Sequence, residues 1–117
     1  MARFRLARRA QADLAGILAV SEKRWGSGGR SRYATLLAAA MRQIASQPLG
    51  PLTRNRSQIS VGVRSLHLRL VRQPEAVMRV GRPVHVVFYR IVQPEIVEIL
   101  RVLHERMQPS DYLNERG

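Results

Sequence analysis

Val84-His-Val-Val-Phe-Tyr-Arg-Ile-Val92, the turn Gln93-Pro94-Glu95, and Ile96-Val-Glu-Ile-Leu-Arg-Val-Leu103 form the stretch that decides the fold. Both runs are rich in β-branched and aromatic residues, and a Pro-containing turn separates them, the pattern of two paired strands. The first run is apolar on both faces apart from His85 and Arg90. A strand without a polar face belongs at the centre of a sheet. Upstream, Ser65, His67 and Arg69 alternate with Leu66, Leu68 and Leu70, which predicts a third strand with one buried and one polar face. Gln73 to Pro83, with two Pro, a Gly and several charges, reads as a long loop between that strand and the central one.

Nearer the N-terminus the period changes. Arg3-Phe4-Arg5-Leu6 alternates as a short strand, and from Ala10 the apolar residues Leu14, Ile17, Leu18 and Trp25 recur at three- and four-residue steps. A second helical stripe follows from about Ser31, through Tyr33, Leu36, Leu37, Ala40, Met41 and Ile44, and Pro48 stops it. Gly26, Gly28 and Gly29 between the two stripes predict a tight reversal, hence a helical hairpin. Residues 49–60 read as loop, and Gln108 to Leu113 as a C-terminal helical turn. The order β-α-α-β-β-β predicts an α+β fold of two layers, with the hairpin packed on a mainly antiparallel four-stranded sheet. A chain of 117 residues fits one domain, 1–117, able to bury its own core.

Composition narrows the function. There is no cysteine, which removes disulfides, thiolate metal sites and a thiol nucleophile. No apolar run is long enough to span a bilayer and the N-terminal residues lack the apolar core of a signal peptide, so a cytoplasmic location without membrane contact is expected. The three histidines show no metal-ligand spacing and Gly28-Gly29 follows a helix rather than a strand, so no metal and no cofactor are expected. The net charge of +12 calls for an anionic partner. Lys23 is the only lysine; the other cations are arginines, whose planar forks suit carboxylates and phosphates. Residues 1–60 carry 11 basic and 2 acidic side chains against 9 and 6 in residues 61–117, which makes the N-terminal half the expected landing surface for an acidic partner.

Several short motifs occur in one order along the chain: Ala10-x-x-Asp13-Leu14-x-x-Ile17, Arg24-Trp25-Gly26, Tyr33, Gln47-Pro48-x-Gly50, Gly62-x-Arg64, His85-x-x-x-Tyr89-Arg90 and Val102-Leu103-His104-x-x-Met107. In this order the sequence resembles the ParE toxins of the RelE/ParE superfamily over nearly its whole length. The resemblance implies the toxin of a type II toxin–antitoxin pair that inhibits DNA gyrase, and so replication and growth, by protein contact without catalysis of its own. It also implies a ParD-like antitoxin whose acidic segment folds onto the toxin. The expected target-binding residues are Arg64, Arg69, Arg90, Arg101, His104, Arg106 and Met107, on the polar side of the sheet and at its C-terminal end. The expected antitoxin-binding residues are Arg3, Arg5, Arg8 and Arg9. The 73–83 loop is longer than the turn many members of the family have there.

Two other readings stand beside this one. RelE-type relatives cut messenger RNA on the ribosome, and such a nuclease needs a base, cationic clamps and an acid. His67, Arg69, Tyr89 and Arg90 are the candidates for those roles. Against them, His67 reads as a surface histidine, His85 as a structural one and Tyr89 as a core tyrosine, and the lysine cluster of RelE nucleases has no counterpart. Direct nucleic-acid binding would use the charge, although aromatic residues make up only 5% of the chain.

Overall fold

The computed structural model describes residues 3–73 and 79–113. Strand β1 (Arg3–Leu6) leads into helix α1 (Arg8–Ser46), followed by strands β2 (Arg54–Asn55), β3 (Arg64–His67), β4 (His85–Gln93) and β5 (Ile96–His104). A 3-10 turn covers Leu68–Leu70 and another covers Pro109–Asp111. Of the loop expected at 73–83, residues 74–78 lie outside the described residues.

The α+β class holds, with corrections in its parts. Two helices parted by a Gly-rich loop are instead one helical segment broken at a single residue, Gly26, with φ 73° and ψ −173°. A straight helix of 39 residues would measure about 58 Å, whereas the longest dimension of the molecule is 38 Å. Contacts give the direction of each arm. The Ala7 amide bonds to the Ile99 carbonyl and Asp13 to Arg101 and Val102, so the first arm advances along β5. Tyr33 meets His85, and Pro48 meets Tyr89, so the second arm advances along β4. Because β4 and β5 are antiparallel, the arms run in opposite senses. Residues 27–30 stay helical, because reversal needs only one residue with positive φ, which glycine supplies without steric cost. Gly29 has a different reason: a Cβ there would stand 2.4 Å from Trp25 Cβ.

Among the described residues the sheet has five strands rather than four, in the order β1-β5-β4-β3-β2, and it is mixed, since β1 pairs with β5 in parallel. The added strand, Arg54–Asn55, lies in the segment read as loop, where its two residues pair with Ser65 and Arg64. Strand β3 ends at His67, so the expected Leu68 to Leu70 continuation is a correction. The His67 ring caps the following 3-10 turn by accepting from the Arg69 amide, which bends the chain away from the sheet.

Leu36, Leu37, Ala40 and Ile44 of the second arm pack on Leu66, Val87, Tyr89, Val97, Ile99 and Val102. A smaller cluster of Val63, Phe88, Leu103 and Leu113 fills the other face, with Tyr112 and Met107 packed against it. The polar face expected of β3 is therefore partly covered, and Ser65 is buried.

Candidate functional site

Histidines at 67, 85 and 104 are distant in sequence and adjacent in space. Register sets His85 opposite His104, and His67 opposite Val86, at the end of the sheet where β3 and β5 finish and β4 begins. The rings of His85 and His104 meet edge to face at 5.6 Å. Sequence reading placed His67 and His85 on strands and His104 just after one, where the structure makes it the last residue of β5. The pairing, which depends on where β4 enters after the loop, had no signal in their spacing.

Hydrogen bonds fix what each imidazole can do. His67 Nδ1 accepts from the Arg69 amide at 3.1 Å, and Nε2 faces Glu105 Oε1 at 2.7 Å. An amide only donates, so Nδ1 is bare and Nε2 carries the hydrogen given to Glu105. That bond holds the exposed Glu105 carboxyl below the usual carboxylate range. His104 Nδ1 accepts from the Arg106 amide at 3.1 Å, leaving Nε2–H as its donor. Tyr33 Oη lies 2.5 Å from His85 Nδ1, and the Val84 amide donates to the same hydroxyl. Burial pushes the Tyr33 phenol up, so it remains the donor to His85. Burial, with His104 and His67 nearby, pushes His85 down to about 4, leaving it neutral with Nε2–H outward.

His85 and His104 stand in the floor of a cavity of about 940 Å³ between the helical arms and the 79–84 segment. Apolar residues Ile17, Val20, Val80, Val84 and Met107 line it, and Arg24, Arg32, Arg79 and Arg82 stand around it. Trp25, 61% exposed, lies at its mouth with the Arg24 guanidinium 5.7 Å from the ring centroid. The cavity and its Trp25 edge were missed from sequence; the Arg24-Trp25-Gly26 motif was the available signal.

The structure scatters the expected target-binding set. His104, Arg106 and Met107 lie together at the end of β5, where Met107 Sδ accepts from the His104 amide, and Arg69 stands on the 3-10 turn after β3. Arg64 and Arg90 lie further along the sheet. Arg64 Nη2 donates to Thr53 Oγ1, and Arg90 donates to the Val61 carbonyl and Ser60 Oγ. Arg101 is committed to the interior, donating through Nε and Nη2 to the two oxygens of Asp13 at 2.8 Å. The Asp13 bond raises its pKa. Its guanidinium also lies over the Tyr112 ring. Tyr89 is fully buried and its hydroxyl donates to the Pro48 carbonyl. Arg3, Arg5, Arg8 and Arg9 are all exposed, and Arg5 pairs with Glu98 at 3.1 Å.

The family model described as ParE toxin of type II toxin-antitoxin system, parDE, matches residues 4–109. The chain belongs to the ParE toxin family. It is 37% identical over 111 residues to Toxin ParE1 of Caulobacter vibrioides, covering 94% of this chain and 96% of that protein. The fold also matches a solved chain from the chromosomal ParDE TA system of P. aeruginosa, with TM-score 0.56, 18% identity, and coverage of 89% of this chain and 96% of that one. At that identity the likeness concerns the fold alone. The ParE assignment agrees with the order of motifs from Ala10 to Met107. Among the described residues no helix of this ParE toxin is long and apolar enough to cross a membrane.

Proposed function

We propose that this ParE toxin acts in the cytoplasm, as a single domain, by binding DNA gyrase and stalling it on DNA, and that a ParD-like antitoxin neutralises it. The observation that carries the non-catalytic reading is the state of the nuclease candidates. Both nitrogens of His67 are engaged, the Tyr89 hydroxyl is buried on Pro48, and Arg90 is bound to the 60–61 segment. A general base needs a free lone pair within reach of the attacking hydroxyl. Contact, by comparison, needs only presented surface, and Arg69, His104, Arg106 and Met107 present it at one end of the sheet. Arg64 and Arg90 extend that surface along the sheet, while Arg101 supports it from beneath through Asp13.

The antitoxin reading rests on charge. Arg3, Arg5, Arg8 and Arg9 are exposed on β1 and the start of α1, in the half of the chain with 11 basic and 2 acidic residues. An acidic segment is steered there and ordered on binding. Purified toxin tests the target. The expected result is inhibited supercoiling, unchanged in the double variant His67→Ala, Tyr89→Phe once its folding is verified. Unimpaired supercoiling at saturating toxin, together with ribosome-dependent cuts in messenger RNA, would replace this reading with the nuclease.

A further inference from the structure

The charged and imidazole side chains described in the lining of the cavity between the helical arms and the 79–84 segment are, Asp13 apart, hydrogen-bond donors set among apolar residues. Arg24, Arg32, Arg79 and Arg82 come from both arms and from the segment before β4. None of the four makes an ion pair among the described residues. Among the described residues the one carboxylate in the lining, Asp13, is consumed by Arg101 and the Val102 amide. His85 and His104 each have Nδ1 occupied, which leaves Nε2–H to donate. An occupant must bring acceptors to the floor as well as negative charge to the rim. At the mouth, the exposed Trp25 ring supplies a flat apolar surface beside Arg24.

From this geometry we infer that the groove binds a single-stranded nucleic-acid segment, with phosphates on the four arginines and a base stacked on Trp25. Base carbonyls and ring nitrogens are acceptors that can reach the two imidazole N–H groups. An acidic amphipathic helix matches the arginine rim and the apolar lining but not the floor: its backbone carbonyls are already bonded within the helix, so its apolar face would bury the two imidazole donors without partners. Stacking on an aromatic ring inside a basic groove is the usual means of holding single strands without reading sequence. The groove shares His104 and Met107 with the surface proposed for gyrase, but the inference needs no enzyme in the assay, so each reading can fail alone.

Trp25 is the only tryptophan in the chain, so its fluorescence reports the proposed contact directly. Titration of the whole toxin with a short oligothymidine and a short oligouridine is expected to quench that emission. Base-free polyphosphate is expected to bind without quenching, and a duplex of equal length to quench far less than either single strand. Preference between oligothymidine and oligouridine decides whether the physiological strand is DNA or RNA. With a dye-labelled oligonucleotide, Trp25→Ala is expected to weaken binding about tenfold, and Arg32→Ala with Arg82→Ala to weaken it further and flatten the salt dependence. These side chains lie at the edge of the groove, and unchanged thermal unfolding verifies each variant. Quenching by an acidic helical peptide but by neither oligonucleotide would overturn the inference in favour of protein docking. Undiminished oligonucleotide affinity in Trp25→Ala would overturn it as well.

Discussion

Asp13→Ala removes the acceptor of three hydrogen bonds at once, from Arg101 Nε, Arg101 Nη2 and the Val102 amide. The stranded guanidinium side chain is only 16% exposed. A loss on the order of 2–4 kcal/mol is therefore expected, seen as a lower urea midpoint. Asp13 was legible as part of a motif, but its role was not, because its partner lies 88 residues away. His85 gives a pH signature. Its folded pKa of about 4 lies below the ordinary 6.5, so the unfolded chain takes up the proton first. Stability from this group is full above pH 6.5 and is lost as pH falls toward 4. Partial solvent access reduces the effect to about 1–2 kcal/mol. Thermal midpoints measured from pH 7 to 4.5 should decline in the parent and stay flatter in His85→Gln. An identical decline in both would assign it to other groups. Glu105, held low by His67, contributes in the same direction but at more acidic pH, since its stability is lost only below the ordinary carboxylate range.

Among elements, the helical arms were legible because each carries a stripe at helical spacing, and the reversal was legible from its glycines. The single-residue break was not, because several glycines could supply a positive φ and only the packed arms select Gly26. Gly26→Ala should cost about 1–3 kcal/mol, because φ 73° with ψ −173° is a region that essentially only glycine adopts. Gly29→Ala should cost more, because its Cβ meets Trp25 Cβ at 2.4 Å and both lie on the helix backbone. Chemical denaturation that ranked the two in the opposite order would contradict this account of the bend. Strands β4 and β5 were readable from composition, whereas β2 was not: its two residues, Arg54 and Asn55, have no strand propensity and are extended only by pairing with β3. The parallel pairing of β1 follows from the path of the whole chain, which local periodicity cannot specify. At the histidine end the same limit applies, since each ring was visible in sequence but the pairing of His85 with His104 belongs to the register.

For the whole molecule, +12 of charge produces long-range attraction that salt screens. Association with an acidic antitoxin should slow about tenfold between low and physiological salt. Arg8→Glu with Arg9→Glu should lower the association rate more than it raises the dissociation rate, as stopped-flow measurement would show. On the proposed reading the toxin works by occupying its target. An inhibitor acting by contact is used up in proportion to its target, whereas a catalyst is not. Titrating purified toxin into a fixed amount of gyrase, with supercoiling as the readout, separates the two most directly. Complete inhibition near a one-to-one ratio of toxin to gyrase binding sites is the predicted result; full activity at a large excess of toxin, or inhibition by a small fraction of an equivalent, would contradict it.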